Sequence, residues 1–279
     1  LAIESRTPNL DVHYYKLEGR SGKRIAIEVF GSRLGEDVDA VLKLLDAEGR
    51  ILAASDDEPG SGTDPRLSHV FRKNETAYIE VREVRYQGGK FYRLRVGDFP
   101  LPMAAFPMLA QAGMKTSFAS VGPPGEKSLS RSARMSGLYG APSRYSLGFR
   151  GSEHHASGFV PLRLVEEPPF MEKEPNNQLS EAQIIESSAT LTGRLQMPDD
   201  VDVYAFNSKK GQHIHFRPFS RSLGSPAFLL LSLQDEKGRI LASAGNGNSA
   251  EESLHHTASS DGRLFLVVSE LAGRGSPAF

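Results

Sequence analysis

The chain contains no cysteine and no tryptophan. The first absence removes thiol nucleophiles, thiolate zinc sites and disulfides as sources of chemistry or stability. It leaves export open, because secreted β proteins of bacteria often do without disulfides. The second absence narrows any aromatic ligand-binding face to tyrosine and phenylalanine. Tyr14, Tyr78, Tyr86 and Phe91 are the candidates, and a β-sandwich core claims such side chains first. Charge of one sign is also missing. Lys and Arg number 33 against 34 Asp and Glu, interspersed, for a net charge of −1. That balance gives no electrostatic reason to expect nucleic acid or an anionic membrane as partner. No apolar run approaches the roughly 18 residues of a membrane span. Hydrolase boxes of the Gly-x-Ser-x-Gly, His-Glu-x-x-His and Ser-x-x-Lys kinds are absent. Gly122-Pro-Pro-Gly-Glu-Lys-Ser128 approaches a phosphate loop, but Glu126 splits the Gly-Lys pair and no helical pattern follows. Carboxylates are plentiful, yet none stands out as a glycosidase pair. Function has to be argued from a site, and no catalytic one is visible, so the expectation is a chain that is not an enzyme.

What is present is a repeat. Residues 11–57 slide onto 200–246 at a constant offset of 189, with 16 of 47 positions identical. Chance at ordinary residue usage would give roughly 3. The identities sit at strand and turn positions: Tyr15 with Tyr204, Gly22 with Gly211, Ile25 with Ile214, and Leu34-Gly35 with Leu223-Gly224. They end in Leu42-x-Leu44-x-Asp46-x-x-Gly49-Arg50-Ile51-Leu52-Ala53 against Leu231 to Ala242. Lys23 to Val29 alternates, placing Ile25, Ile27 and Val29 on one face and Arg24, Ala26 and Glu28 on the other, the period of a half-buried strand. The second copy keeps Ile214, Phe216 and Pro218 inward, with His213 and His215 outward. Asp46-Ala-Glu-Gly49 reads as a four-residue hairpin turn, Asp bonding its own backbone and Gly taking the positive φ. Tyr78 to Val81 matches Phe265 to Val268, and Phe91 matches Phe279. Short strands between Gly- and Asp-rich turns, with no long 3.6-residue period, predict an all-β chain of sandwich type.

The length predicts two or three domains. The expected arrangement is two jelly-roll-like β-sandwiches flanking a smaller immunoglobulin-like β domain, with boundaries at 1–97, 98–169 and 170–279. In the middle stretch Met114 to Val121 and Gly158 to Val165 read as strands, and polar Ser128 to Gly140 reads as a loop. Glu166-Glu-Pro-Pro169 reads as a stiff linker. The first copy runs on into an alternating strand, Tyr92 to Val96, that the second lacks, while the second begins with an extra stretch, Glu172 to Asp199. Each copy thus lacks one end, which suggests a segment of a longer protein with sheet edges a complete chain would cover.

Glu172-Lys-Glu-Pro-Asn-Asn177, then Glu181-Ala-Gln, Thr190-Leu-Thr-Gly193-Arg-Leu, Asp200-Val-Asp202-Val-Tyr204-Ala-Phe206 and Lys209-Lys-Gly-Gln212 resemble, in order, the bacterial pre-peptidase C-terminal domain. The likeness covers nearly all of the second copy and the first from Asp11 onward, about two thirds of the chain. It implies β-sandwich modules of secreted or cell-surface bacterial proteins, often beside a protease and not themselves catalytic. Relatives in clostridial collagenases bind collagen and calcium. The resemblance therefore implies a spacer or interaction module, with two alternatives. One is a calcium-dependent module binding extracellular protein or polysaccharide; the other is an accessory part of a secreted peptidase.

The corresponding calcium segment is Glu172, Glu174, Asn176 and Asn177, facing Asp199 and Asp202. An independent reason supports it. Ca²⁺ takes six to eight oxygens, and alternate residues of an extended segment point the same way, which groups Glu172, Glu174 and Asn176. Asn177 stands where the family often has a carboxylate, and the first copy lacks the segment. The competing reading is a simple turn followed by a solvated hairpin at Asp199 to Asp202. A second candidate loop, Asp56 to Asp64, also suits calcium, although the second copy has few carboxylates there. The histidine pairs His154-His155, His213-x-His215 and His255-His256 do not read as zinc ligands. The 213/215 pair faces solvent, the other two lie in polar turns, and zinc needs ligands from separate elements to converge.

Overall fold

The structure, a computed structural model, describes residues 1–122, 126–136, 144–151, 156–186, 188–245, 249 and 251–276. The chain is all-β, and it divides into two compact units: Leu1–Pro102 with Gly148–Phe159, and Met103–Leu147 with Val160–Phe279.

The first unit holds β1 (Ala2–Arg6), β2 (His13–Gly19), β3 (Arg24–Phe30), β4 (Ala40–Asp46), β5 (Ile51–Ser55), β6 (Arg66–Val70), β7 (Glu75–Glu83) and β8 (Phe91–Gly97). They form two four-stranded antiparallel sheets, ordered β1-β8-β3-β6 and β2-β7-β4-β5. The inward residues of each sheet meet as one core. Ile27, Val29, Leu42, Leu44, Tyr92 and Leu94 are each 0% exposed, and each contributes about 1.5–3 kcal/mol by leaving water. The side of β3 expected to face outward is buried as well: Ala26 and Glu28 are also 0% exposed. Ala26 packs on Phe99 and Leu101. Glu28 is paired with Arg33 at 2.9 Å and Arg95 at 3.7 Å, and Gly158 leaves room for it, since a Cβ there would lie 3.1 Å from its Oε1. Alternation alone does not separate a solvated glutamate from one held between two arginines.

The rest of the chain continues with β9 (Ala104–Phe106), β10 (Leu109–Gln111), β11 (Lys115–Val121), β12 (Ser130–Arg134), β13 (Arg144–Arg150), β14 (Ala156–Val165), β15 (Phe170–Met171), β16 (Gln183–Ile184) and β17 (Leu191–Thr192). There follow β18 (Val201–Ser208), β19 (His213–Phe216), β20 (Leu229–Gln234), β21 (Ile240–Ala244), β22 (Leu254–Thr257) and β23 (Gly262–Glu270). The expected loop at Ser128 to Gly140 contains a strand instead. β12 pairs with β11 from Lys115↔Arg134 to Ala119↔Ser130. Four of its five residues are exposed, so it carries no apolar alternation by which sequence could reveal it; residues 137–140 lie outside the described residues.

The order β18-β23-β20-β21 in the second unit corresponds to β2-β7-β4-β5 in the first. The registers correspond too: His13↔Val81 with Asp202↔Val268, and Ala40↔Glu83 with Leu229↔Glu270. Both copies break register at the same place, after Leu44 and after Leu233. Both use a 3-10 turn, Ser32–Leu34 and Arg221–Leu223, closed by a left-handed glycine, Gly35 at φ 88° and Gly224 at φ 98°. The hairpin turn forms as its chemistry predicts: Asp46 Oδ1 accepts from the N–H of Glu48 and Arg50, and Asp235 Oδ1 does the same for Lys237 and Arg239. In the facing layer β19-β22 corresponds to β3-β6, and β17 occupies the sequence position of β1, pairing in parallel with β15.

Candidate functional site

The acidic cluster is built where the extra segment of the second unit crosses the start of β18. β15 runs parallel to β17, and the N–H of Glu172 continues that ladder to the Thr192 carbonyl at 3.0 Å. Gly193 allows the approach, because a Cβ there would lie 2.9 Å from the Glu172 carboxyl carbon. Glu172 Oε2 accepts from the Arg194 N–H at 2.8 Å, and Tyr204 donates to its Oε1 at 3.5 Å. Two residues on, Glu174 accepts from the Asn176 N–H at 3.1 Å and the Gln196 amide at 3.4 Å. The Asn176 carbonyl then accepts from the Val203 N–H at 2.9 Å, which fastens the segment to the strand that carries Asp202.

Carboxylate oxygens of Glu172, Glu174 and Asp202 lie within 4.8 Å of one another. Asp202 is 4% exposed and Asn176 is 0% exposed. Asp202 Oδ1 and both side-chain polar atoms of Asn176 are buried without a hydrogen-bond partner. Buried polar groups are normally satisfied, so three such atoms at one place call for an explanation. Among the described residues, none of the ion pairs includes Glu172, Glu174, Asp200 or Asp202. Electrostatics register the strain. Burial first, then the hydrogen bond and charge of Glu172 and the charges of Asp200 and Glu174, push the Asp202 carboxyl up to about 10. Burial also raises Glu174; the Asn176 N–H opposes this and the Glu172 and Asp200 charges add to it. Tyr204 is raised by burial and then by the Asp202 and Glu172 charges.

Of the six residues expected to form the site, the structure brings Glu172, Glu174 and Asp202 together and sets Asn176 between Glu174 and β18. Asn177 and Asp199 are exposed, and Asp199 is not among the carboxylates that come together. Asp199 sits in a turn at φ 62°, its N–H bonded to the Gly273 carbonyl. Asp200, absent from the expected set, is 7% exposed and takes the Gln196 N–H at 2.6 Å. Asp202 and Asp200 share the face of β18 that carries Tyr204 and Phe206, whereas Asp199 has the opposite parity.

The other candidates separate as follows. In the Asp56 to Asp64 loop, Asp56 and Asp57 approach Asp39 and are exposed. Asp64 is 0% exposed and is used up on the N–H groups of Gly31, Ser32 and Arg33 and on the Arg33 side chain. His255 and His256 lie on β22 rather than in a turn. There His215 stacks on His255 with centroids 4.2 Å apart, while His213 Nδ1 bonds Thr257 Oγ1 at 3.0 Å. His154 and His155 lie outside the described residues. Of the aromatic candidates, Tyr14 and Tyr86 are exposed, at 56% and 40%.

No family model matches the chain, and no curated protein matches it. Among solved structures, it is similar to the pre-peptidase C-terminal domain of a collagenase from Bacillus anthracis. The identity is 17%, over 35% of this chain and 88% of that one, with a TM-score of 0.29. It is also similar to the M60 catalytic domain with the CBM51-1 and CBM51-2 domains of ZmpB from Clostridium perfringens. There the identity is 11%, over 95% of this chain and 32% of that one, with a TM-score of 0.23. No helix among the described residues is long and apolar enough to cross a membrane.

Proposed function

We propose that the chain is a non-catalytic tandem of β-sandwich modules from a secreted or cell-surface bacterial protein, and that its second module is held together by Ca²⁺. The observation that carries the metal is the set of orphaned buried atoms, Asp202 Oδ1 with the Asn176 side chain, beside the carboxylates of Glu172 and Glu174. The donor set suits the ion: hard oxygens from three carboxylates and an amide, with no sulfur or imidazole. Glu172, Glu174, Asp202 and Asn176 would hold it, and Asp200 would add negative charge behind them. Such an ion would supply counter-charge to buried Asp202 and the two glutamates beside it, and would tie the Glu172 to Asn176 segment to β18. The tandem reading draws support from matching strand order, register and turn glycines in the two units. In this role the modules act as a spacer or an interaction segment, in the manner of an accessory part of a secreted peptidase. Exposed Tyr14 and Tyr86 are the side chains we would assign to contact with an extracellular protein or polysaccharide.

The test is a thermal melt with Ca²⁺ and with chelator, on the native chain and on Glu174→Ala. A calcium-dependent rise that Glu174→Ala loses supports the reading. A midpoint indifferent to calcium in the native chain removes the metal and leaves a plain sandwich tandem.

A further inference from the structure

Strands β19 and β22 pair antiparallel, with His215 directly opposite His255. The Ala258 N–H donates to the Gln212 carbonyl at 3.0 Å, so hydrogen-bonded positions recur at every second residue from Gln212. His215↔His255 is therefore a non-hydrogen-bonded pair, the kind whose side chains come closest. The two imidazoles lie with centroids 4.2 Å apart and planes 11° from parallel. Both residues are exposed, and among the described residues neither ring makes a hydrogen bond. Transition-metal sites require ligands to converge from separate elements, and this strand pairing supplies two that do.

Neighbouring positions set the limits of the pair. His213 shares its outward face, but the His213 Nδ1 is engaged by the Thr257 hydroxyl at 3.0 Å. His256 has the parity of its partner Ile214, which is 7% exposed, and so belongs to the other face. In the first unit the matching cross-strand pair is Ala26↔Ser68. The shared frame therefore does not call for imidazole at either position. Two stacked rings also support strand pairing, by about 0.2–1 kcal/mol, and that purely structural role is the one an experiment has to separate.

We propose that His215 and His255 together bind one divalent transition ion, copper(II) most tightly. Imidazole nitrogen suits copper, nickel and zinc, and copper(II) stands highest of these in the general order of affinities. Calcium takes oxygen ligands and has no claim on the pair, so the site is chemically separate from the one proposed at Glu172, Glu174 and Asp202. Binding turns both rings out of the stack, because the ion lies in the plane of each ring at about 2 Å from its nitrogen. Their exposure and their lack of hydrogen bonds leave that rotation unopposed. Water completes the coordination shell.

The probe is copper(II) ion alone, titrated calorimetrically into the 279-residue protein with excess calcium present, so that the acidic cluster does not compete. His215→Asn and His255→Asn should each weaken the tightest copper site about a hundredfold, the gain expected when a second ligand is already held in place. His213→Asn should bind like the native chain. The paramagnetic resonance spectrum of the ion on the native chain should show coupling to two imidazole nitrogens. That measurement needs no variant, so it decides even where a substitution unfolds the unit, and coupling to fewer than two nitrogens overturns the proposal. Copper affinity unchanged in His215→Asn or His255→Asn also overturns it and leaves the pair as a strand contact. An equal loss in His213→Asn overturns the two-ligand site as well.

Discussion

Replacing Asp202 by asparagine should make the second unit more stable without calcium and less stable with it. The metal-free cost can be worked from the site. Its carboxylate oxygens lie within 4.8 Å of one another. At an effective dielectric of about 20, each ionised pair at that distance repels by about 3.5 kcal/mol. The metal-free protein avoids part of this by keeping Asp202 protonated, its carboxyl pushed from the usual 3.8 to about 10. A raised folded-state value means that stability is fully present below the ordinary value and is lost as pH rises toward 10. At pH 7 the loss is about 4 kcal/mol at most. Asparagine keeps the shape and needs no proton, so Asp202→Asn should recover part of that loss. On the proposed reading, calcium at a hundredfold excess over its dissociation constant would stabilise the native chain by about 2.7 kcal/mol. For a unit of this size that is a rise of about 5–10 °C, which the variant should largely lose. Melts of both proteins, each with calcium and with chelator, give the four midpoints. A variant destabilised equally in both conditions, or one that keeps the full calcium shift, refutes the argument.

Glu270 should govern acid unfolding of the same unit. Its burial raises the carboxyl, but the Arg274 guanidinium and the N–H groups of Arg274, Ala272 and Phe228 outweigh this and hold it at about 2. The stability it confers, about 3 kcal/mol at neutral pH, is present above the ordinary value near 4.5 and lost as pH falls toward 2. Glu270→Gln should therefore cost about that much at pH 7 and flatten the acid limb; superimposable acid titrations would contradict it. Gly224→Ala should be far worse than Gly35→Ala at the matching turn. A Cβ at 224 would lie 2.1 Å from the Met103 carbonyl oxygen, while at 35 it meets nothing within 4 Å. Only the left-handed strain of about 1–2 kcal/mol then remains at 35, and equal denaturant midpoints would show the contact to be misread. In the first unit, Asp64→Asn should cost about 2–3 kcal/mol through its lost charge-assisted bonds, against almost nothing for exposed Asp56→Asn. Equal losses in urea unfolding would count against a structural role for Asp64.

The strands of the repeated block were legible because each inward position recurs every second residue and each turn carries a glycine or aspartate with one backbone task. The site was only half legible. Parity groups Glu172, Glu174 and Asn176, and in the structure the carboxylates of Glu172 and Glu174 come together with that of Asp202, with Asn176 bonded to Glu174. On β18 the same rule would have chosen Asp200 and Asp202 over Asp199, because Tyr204 and Phe206 fix the inward face. The motif pointed to an Asp-x-x-Asp turn instead, and a turn has no parity to correct it. The burial of this face of β3 lay beyond the strand's own alternation, since Arg95, which pairs with Glu28, and Phe99 and Leu101, which pack on Ala26, come from far along the chain. β12 escaped for the opposite reason: an exposed strand paired along one edge needs no apolar residues.

The two units share a frame but satisfy the same interior position by different physics. At the position of Asp202 the first unit has His13, whose Nδ1 lies 2.6 Å from the Tyr92 hydroxyl, which in turn lies 2.6 Å from the Tyr15 hydroxyl. That chain of hydrogen-bonding groups is complete because β8 delivers Tyr92. In the second unit Tyr204 matches Tyr15, but position 202 carries a carboxylate, with those of Glu172 and Glu174 beside it. Hydrogen bonding completes this position in the first unit, whereas in the second Asp202 Oδ1 is buried without a partner, and it is this difference that the proposed cation would resolve. Exchanging His13 for aspartate should accordingly destabilise the first unit by removing the bond to the Tyr92 hydroxyl, which a lower denaturant midpoint would register.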